Sequence, residues 1–433
     1  MKCIKCGTDN KLKDRTANQG QCVKCNHPFA FEPTSMSKVK ITDPLFAKIL
    51  SDISANNTLF FTPKQLFYFL NMRLGGKSFS SGLNLFLGYL TLSGFIGFWS
   101  VNITGGNQEI VALLLFIFNA VYIFKIFQDS DSSKLSLKSR RANARALQII
   151  GIIILGGGIS ASILIIGSFY AFTLSVLMGM VSIYLGTQQL QNSGLSTQEF
   201  LFSQNEFENW VNRWRQINGL IVKILPSPRE DNTLATFNPD VTAYSFDRLI
   251  VCDRATIAQL LIANNFHFEN NCAILSITGY PQGIFETMMQ MLRRNPDLKV
   301  YALHDCSPQG IGLVHHLRTS PKWFKDSNII IIDIGLTPRQ IIAAKRGMFI
   351  QSSPESAQAA KKLTGEIRQN LSAEEIEFLE SGKFVELESF TPHRLIQILQ
   401  KGIAGSQNIE SADSGLFLAG DRGNDIYVVQ SFG

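Results

Sequence analysis

Four long apolar runs in the middle of the chain constrain its fold more than any other feature. They cover residues 83–101, 110–127, 147–167 and 169–186. A helical run of about 18 to 20 apolar residues is long enough to cross the hydrocarbon core of a bilayer. Buried helices of a soluble protein are the alternative, but four such runs within about 105 residues leave no polar face toward water. The sequence therefore predicts four transmembrane helices in contact with lipid, the last two joined as a tight hairpin.

Basic residues set the predicted orientation of these helices. The loop between the second and third runs holds Lys134, Lys138, Arg140, Arg141 and Arg145. The loop around Asn107 has no basic residue. Because cytoplasmic loops carry an excess of lysine and arginine, the basic loop and both termini are predicted to be cytoplasmic. We therefore expect an integral protein of the inner or plasma membrane.

The interior of the runs favours a membrane anchor over a transporter. None of them carries an Asp, Glu, Arg or His in its middle, where such residues would mark an ion or proton pathway. Small side chains in the third run offer surfaces for close contact between helices. These are Gly156, Gly157, Gly158, Ser160 and Ser162.

The first 25 residues hold four of the seven cysteines, as two Cys-x2-Cys pairs. The pairs are Cys3 with Cys6 and Cys22 with Cys25, a spacing typical of a structural zinc ribbon. Four thiolates would complete a tetrahedron and leave no position for a reacting water. His27 is either a substitute ligand or a surface residue. Such a ribbon binds nucleic acid, binds protein or only forms a folded end, and its spacing leaves these roles open.

A helix is predicted to begin just before the membrane segment. Thr62 at the cap, Pro63 at the first position and Gln65 at the third form a capping box. A buried face made of Leu66, Phe69 and Leu70 would turn Tyr68 about 200° away from Leu66. Tyr68 is therefore expected to be accessible, or else to be an interfacial aromatic residue near the bilayer.

The C-terminal half has the pattern of an α/β domain. Short β-branched runs at 249–252, 273–278, 300–303 and 329–332 alternate with amphipathic stretches and predict buried parallel strands. In such sheets the working residues gather at the carboxyl ends of the strands. Those ends carry Asp253 and the run from His304 to Gly310.

Residues from about 244 to 342 resemble the Toprim domain of the A subunit of topoisomerase VI and of its relative, the meiotic double-strand-break protein. The similar features are the strand that ends in Asp253, the segments 266–267 and 271–279, the runs 300–305 and 335–338, and a helix bearing Arg293 and Arg294. Residues 371–403, including the run 377–383 and Glu386, resemble the closing helices of that family. The resemblance covers about 160 residues and implies an α/β fold with a mostly parallel sheet.

The resemblance also implies a metal site. In Toprim proteins a glutamate and an Asp-x-Asp pair hold Mg²⁺ beside the scissile phosphate. The matching positions here are Asp253, Asp305 and Ser307, so one carboxylate is shorter and another is replaced by a hydroxyl. These residues are predicted to hold Mg²⁺. Alternatively, Asp253 and Asp305 only cap the helices that follow them.

The family's nucleophile is a tyrosine in a winged-helix region that precedes the Toprim domain. Residues 64–68 are similar to that motif and place Tyr68 at the nucleophile position. In the family this tyrosine serves the metal of the partner protomer, so the resemblance implies a homodimer. Here the four predicted membrane helices separate Tyr68 from the Toprim-like domain.

These observations predict a multidomain chain. Its parts are a zinc ribbon at 1–33, a helical and winged-helix-like segment at 34–81, four transmembrane helices at 82–187, a connector at 188–242, a Toprim-like domain with closing helices at 243–403, and a tail at 404–433 with an apparent strand at 426–429.

Two functions remain open from the sequence. The first is a membrane-anchored protein that binds or acts on DNA at the cytoplasmic face, with Mg²⁺-dependent cleavage. The second is a non-catalytic sensor or scaffold whose degenerate Toprim fold recognises a protein or nucleic-acid partner. The net charge of +6 suits DNA and lipid headgroups equally, so charge does not choose between partners.

Overall fold

The structure is a computed structural model that forms two compact units. It describes residues 1–36, 39–75, 82–103, 105, 107–131, 137–167, 169–192, 195, 197–228, 246–293, 298–344 and 348–406. The first unit comprises Met1–Asn71, Phe200–Ala344 and residues 348–406, and the second comprises Met72–Glu199. The first unit is therefore interrupted in sequence by the second. The predicted strand at 426–429 and the basic residues Lys134 and Arg294 lie outside the described residues.

A small knob opens the first unit. Two turns, closed by the bridges Lys2–Asp9 and Gln21–Pro28, flank helix α1 (Leu12–Ala17). Arg15 is buried in the knob and makes a two-pronged ion pair with Glu32, at 2.9 and 3.0 Å. A fork of this kind fixes direction as well as distance. The short knob is thus held by this ion pair and by its cysteine cluster.

Two helices precede the apolar helices in sequence, and the second of them passes from the first unit into the second unit after Asn71. They are α2 (Asp43–Ile53) and α3 (Pro63–Gly75). The predicted capping box of α3 is confirmed: Thr62 N–H donates to Gln65 Oε1 at 3.0 Å, and Gln65 N–H donates to Thr62 Oγ1 at 3.1 Å. The side chain of Asp43 is buried and accepts the N–H groups of Ala30 and Phe31, which attaches the knob to α2.

The second unit is a bundle of apolar helices. Its elements are α4 (Gly82–Ile103), α5 (Gln108–Asp131), α6 (Leu137–Ile153), α7 (Ile159–Ala161) between the π-helical turns Ile154–Gly158 and Ser162–Ile166, and α8 (Phe169–Asn192). Among the described residues, three spans are long and apolar enough to cross a membrane: Glu109–Asp131, Ser139–Leu164 and Phe169–Leu190. They coincide with the second, third and fourth predicted runs. The first run falls in α4, whose 22 residues include none with a charge.

Glycines bring α6 and α8 into close contact within this bundle. A Cβ atom on Gly151 would lie 2.8 Å from the carbonyl oxygen of Gly179, and one on Gly186 would lie 2.7 Å from that of Ala144. Small residues let helix backbones approach in this way. Gly158 also meets a neighbour, Ser175, whereas no described residue lies within 4 Å of a Cβ placed on Gly156 or Gly157. Within the described residues, the predicted small surface therefore meets a neighbouring helix at Gly158.

The chain then returns to the first unit. The stretch predicted as a connector holds helix α9 (Gln204–Asn218), which begins with a capping box between Ser203 and Glu206. Trp214 of α9 packs on Phe31 and Phe46 with ring centroids 6.0 and 4.9 Å apart. A backbone bridge between Phe61 and Ile224 adds a second link. The knob, α2, α3 and α9 are thus packed together across the interruption in sequence.

An α/β domain completes the first unit and confirms the predicted fold class. Its strands are β1 (Arg248–Cys252), β2 (Cys272–Ser276), β3 (Lys299–Leu303) and β4 (Ile330–Asp333). They form one parallel sheet in the order β2-β1-β3-β4. Every residue of β2, and all but the first of β1 and β3, is buried, as expected when helices cover both faces.

The helices of this domain and its closing part surround the sheet. They are α10 (Ala255–Ala263), α11 (Phe266–Glu269), α12 (Gln282–Arg293), α13 (Pro308–Ile311), α14 (Leu313–Thr319), α15 (Pro338–Ala344), α16 (Pro354–Lys361), α17 (Gly365–Gln369), α18 (Ala373–Glu380) and α19 (Pro392–Ser406). A small antiparallel pair, β5 (Gln351–Ser352) with β6 (Lys383–Phe384), leads into a 3-10 turn at Leu387–Ser389. Glu386 and Glu388, at this turn, reach the edge of the sheet.

Candidate functional site

Asp253 and Asp305 meet at the carboxyl edge of the sheet. Asp253 follows β1 and Asp305 follows the neighbouring strand β3, so the parallel register places them side by side. Asp305 N–H donates to Asp253 Oδ2 at 2.9 Å. The other oxygen of Asp253, Oδ1, is buried and has no hydrogen-bond partner among the described residues.

Ser307 takes a structural role at this edge. Its Oγ accepts the N–H of Gly310 at 3.0 Å, which makes it the N-cap of α13. Its own N–H donates to the carbonyl oxygen of Asp305 at 2.9 Å. The hydroxyl at the position of the missing carboxylate is therefore occupied in capping a helix, a common role of serine.

Arg254 joins three carboxylates in the same place. Its Nη2 lies 2.8 Å from Asp305 Oδ2 and 2.8 Å from Glu386 Oε1, and its Nη1 lies 3.6 Å from Glu388 Oε2. The three acids are almost entirely buried, whereas the arginine side chain is 36% exposed. A planar guanidinium has five donors in a fixed fork, which suits it to several carboxylates at once.

Glu386 links this cluster to the helix that carries the predicted nucleophile. Its Oε1 also accepts Lys64 Nζ at 2.7 Å, and its Oε2 accepts the hydroxyl of Tyr68 at 2.5 Å. Glu388 accepts the hydroxyl of Thr62 at 2.7 Å. The start of α3 is thus attached to the Toprim-like half through side chains more than 300 positions away in sequence.

Tyr68 itself is fully buried, so the expectation that it is accessible is wrong. Phe67, Phe200 and Phe349 surround its ring, with centroids 5.1 to 6.4 Å away. Its hydroxyl donates to Glu386 and accepts from Gln351 Nε2. Burial and the neighbouring charge of Glu386 raise the pKa of Tyr68 far above its ordinary value. The phenol therefore stays protonated in this arrangement.

Burial and the neighbouring charges together set the pKa values of the four acids. Burial raises the pKa of Asp253, and burial together with the charge of Asp253 raises the pKa of Asp305 despite the opposing effect of Arg254. Burial likewise raises the pKa of Glu388. For Glu386, burial is outweighed by Lys64 and Arg254, which lower its pKa. Lys64 and Arg254 therefore stabilise the ionised form of Glu386 more strongly than that of the other three acids.

His304 supplies a further positive charge behind the acids. It is fully buried, with Nε2 3.0 Å from Asp333 Oδ1 and Nδ1 2.8 Å from the carbonyl oxygen of Asp305. Burial disfavours its charged form, but the carboxylate of Asp333 outweighs this and raises the pKa of His304 to about 9. Gly335 lies against the ring, since a Cβ there would be 2.5 Å from it. The imidazolium of His304 thus fixes the backbone at Asp305.

The cysteine cluster is a separate site in the knob. The sulfur atoms of Cys3, Cys6, Cys22 and Cys25 all lie within 4.8 Å of one another. That arrangement fits a tetrahedral zinc ion bound by four thiolates. His27 does not join them; its Nε2 lies 3.0 Å from Asn218 Oδ1. The predicted ligands are therefore brought together, and His27 is a surface contact to α9.

The parallel sheet, its surrounding helices and the acids at its carboxyl edge fit a Toprim-like α/β domain. Residues 248–401 match the family of Toprim domains from the A subunit of topoisomerase 6 and from Spo11. The match is confined to this part of the chain and confirms the Toprim resemblance predicted from the sequence. A comparison with curated proteins found no match to the chain.

The side chains at the Toprim edge do not fit a bound Mg²⁺ as they stand. Magnesium requires several oxygen ligands in octahedral geometry. Both oxygens of Asp305 are engaged, one by Arg254 and the other by Leu387 N–H at 2.6 Å. Ser307 caps a helix, and the guanidinium would repel a divalent cation. Of the predicted ligand oxygens, Asp253 Oδ1 is the one that no described residue engages.

Sequence reasoning missed most of the residues that surround Asp305. Arg254, Lys64 and Glu388 are not among the predicted site residues, and Glu386 enters only as part of the family resemblance. One local signal existed: a basic residue directly follows the strand-end acid Asp253. The alternation of Glu386 and Glu388 after β6 was a second, since a 3-10 turn brings both toward one arginine.

Proposed function

We propose that this protein is a membrane-anchored DNA-binding protein whose Toprim domain engages DNA without cleaving it. The family match supports a DNA-related role, and the apolar helices support a membrane anchor. The observation that carries the proposal is the position of Arg254 among Asp305, Glu386 and Glu388. A protein cation lies where the resemblance implies a metal ion.

An arginine in this place changes what the site can do. A metal ion neutralises the charge that develops on a scissile phosphate and can exchange its waters for substrate oxygens. The guanidinium instead directs its donors at protein carboxylates, and 36% of the side chain faces solvent. It can add one hydrogen bond to a DNA phosphate, which favours binding, but it offers no activated water.

The state of Tyr68 supports the same conclusion. A tyrosine attacks a phosphodiester as its oxyanion, which requires loss of the phenolic proton and access to the backbone. Here the phenolic proton is held in a hydrogen bond to Glu386, and aromatic rings cover the side chain. Tyr68 also contacts Glu386 of its own chain, whereas the family resemblance implies a tyrosine that serves its partner in a homodimer.

A second candidate, Mg²⁺-dependent cleavage, is favoured by one specific observation. Asp253 Oδ1 is buried without a hydrogen-bond partner among the described residues, and an unsatisfied buried acceptor commonly marks a functional position. Asp305 and Tyr68 also belong to one hydrogen-bonded network, as a composite site would need. This function requires Arg254 to leave Asp305 and Tyr68 to leave Glu386 before Asp253, Asp305 and Ser307 could hold Mg²⁺.

The two functions are distinguished by incubating full-length protein in nanodiscs with supercoiled plasmid. One reaction contains MgCl₂ and the other contains EDTA. We expect salt-sensitive DNA binding of equal strength in both, and no nicked, linear or covalently attached DNA. Asp305→Asn should leave the absence of cleavage unchanged. Cleavage that requires Mg²⁺ and disappears in Tyr68→Phe would establish the second candidate instead. Absence of DNA binding at low salt would leave recognition of a protein partner as the role of the domain.

A further inference from the structure

Four of the exposed aliphatic side chains of the first unit lie beside the cysteine pairs and in the loop after α9. Ile4 and Val23 each follow the first cysteine of a Cys-x2-Cys pair and are 38% and 51% exposed. Leu220 and Val222 lie in the loop after α9 and are 85% and 80% exposed. Single exposed apolar residues are common, but clustered ones mark surfaces that bind a partner.

The structure joins these two places. His27, just beyond Cys25, contacts Asn218 at the end of α9 with 3.0 Å between Nε2 and Oδ1. Gly219 follows with φ of 85°, a conformation that favours glycine, and turns the chain outward to Leu220. The turn that holds Cys22 and Cys25 therefore lies beside this loop. We call the turn between the cysteines of each pair a knuckle, and we call Ile4, Val23, Leu220 and Val222, with Lys5 and Lys24, the knuckle-loop face.

Contacts with Phe60 and Phe61 fix the position of the loop after α9. Phe61 joins it through two backbone hydrogen bonds, from Phe61 N–H to the carbonyl of Lys223 and from Leu225 N–H to the carbonyl of Phe61, both at 2.9 Å. Lys223 Nζ lies 4.0 Å from the centroid of the Phe60 ring. The exposed side chains of this loop therefore project from backbone that hydrogen bonds hold in place.

Lysines accompany the aliphatic tips. Lys5 and Lys24 directly follow Ile4 and Val23, and both are exposed. Three more exposed lysines lie in the same knob: Lys2, Lys11 and Lys13. Exposed aliphatic side chains beside lysines are typical of a surface that binds anionic lipid. The apolar groups enter the headgroup layer, and the lysines pair with lipid phosphates.

Covalent connectivity points to the same partner. Only residues 76–81 separate α3 from α4 in sequence. The first unit is therefore covalently linked to helices that a bilayer would hold, so lipid headgroups are available to it at high effective concentration.

We propose that the knuckle-loop face binds anionic phospholipid headgroups. The aliphatic tips enter the headgroup layer, and Lys5 and Lys24 pair with lipid phosphates. The zinc ribbon then makes a rigid contact with the membrane surface. This role does not depend on whether the Toprim domain binds or cleaves DNA.

The test uses full-length protein in nanodiscs of phosphatidylglycerol with phosphatidylcholine, compared with nanodiscs of phosphatidylcholine alone. A photoreactive residue is introduced as Leu220→p-benzoylphenylalanine or Val23→p-benzoylphenylalanine. The matched control is Phe268→p-benzoylphenylalanine, at another exposed apolar position of the first unit, 54% exposed. Zinc content and monodispersity of each variant verify that the fold is intact.

We expect lipid adducts from positions 220 and 23 in several-fold excess over position 268, with a preference for phosphatidylglycerol. Lys5→Gln and Lys24→Gln should each lower the yield in phosphatidylglycerol nanodiscs about fivefold, and not in phosphatidylcholine alone. Equal yields at all three positions would overturn the proposal. So would adducts that form chiefly with a second copy of the chain, or with duplex DNA when DNA is added.

Discussion

The cysteine cluster and the carboxylate cluster of the first unit make an instructive comparison. The sequence predicts a metal site at both, and the structure brings together the four cysteines at one and Asp253 with Asp305 at the other. The four sulfur atoms lie within 4.8 Å of one another, and a cation among them would complete the site. The carboxylates already hold Arg254 and Lys64 at 2.7 to 2.8 Å. Convergence of ligands therefore indicates a metal only where the protein has not supplied the positive charge itself.

Loss of a zinc ligand should have the largest effect. Cys22→Ser removes one of four thiolates and disrupts the buried contacts of Cys22 with Cys3 and Phe29. Binding of structural zinc contributes on the order of 10 kcal/mol to small domains. We expect zinc, measured by elemental analysis, to fall from one ion per chain to almost none.

The matched control is Cys272→Ala, a buried thiol in β2 outside the cluster, which should retain full zinc. Full zinc occupancy in Cys22→Ser would show that Cys22 is not a ligand. A zinc-free native protein with a folded knob would show that the cysteine cluster does not depend on a cation.

Removal of Arg254 should have the next largest effect. Arg254→Ala leaves Asp305 and Glu386 buried without a shared cation, and such a loss typically costs about 3–5 kcal/mol. Arg368→Ala, which breaks a part-exposed pair with Glu380, should cost less than about 1 kcal/mol. Thermal unfolding of both variants in nanodiscs measures the difference.

Adding magnesium to the thermal-unfolding measurement tests whether Arg254 occupies the position of a metal ion. If the arginine stands in for a metal, millimolar MgCl₂ should raise the Tm of Arg254→Ala and leave the native Tm unchanged, because only the variant releases Asp305 Oδ2 from its ion pair. A native Tm that rises with MgCl₂ would make the carboxylate cluster a metal site like the cysteine cluster and remove the contrast between them.

The pair of His304 and Asp333 should make stability depend on pH. The pKa of His304 is raised to about 9 in the folded chain, above the roughly 6.5 of an unfolded histidine. The stabilisation is therefore complete below about pH 6.5 and is lost as the pH rises through about 9. We expect about 3 kcal/mol of stability to disappear over that window.

Denaturant midpoints at about pH 6 and about pH 9.5 measure this change, with His304→Gln expected to remove most of it. His316→Gln, at an exposed histidine of α14, serves as the control and should keep the native pH profile. An unchanged profile in His304→Gln would show that His304 does not hold the charge behind Asp305.

The smallest of these effects is expected for Tyr68→Phe. The ring contacts remain, but Glu386 and Gln351 each lose a hydrogen-bond partner, which costs about 1–3 kcal/mol for a charged acceptor. DNA binding should be unchanged, as measured by mobility shift at low salt. A loss of binding or of cleavage with no loss of stability would instead assign the hydroxyl to chemistry.

Much of the fold is predictable because its signals are local. The predicted strands at 249–252, 273–278, 300–303 and 329–332 agree with β1 to β4 to within two residues at each end. The capping box at Thr62 and Gln65 is also predicted and confirmed, since it joins residues three positions apart. Hydrophobic runs and caps act over one or two turns, so the order of residues is enough to predict them.

Local sequence patterns were enough to specify the four cysteines of the knob, the apolar helices and the parallel sheet that aligns Asp253 with Asp305. What those acids contact depends on tertiary packing alone. Tyr68 and Glu386 are 318 positions apart, and Arg254 and Glu386 are 132 apart. No local pattern encodes such pairs, because they form when separate elements pack and a buried charge takes the nearest partner. That packing buries the predicted nucleophile and places an arginine at the predicted metal position.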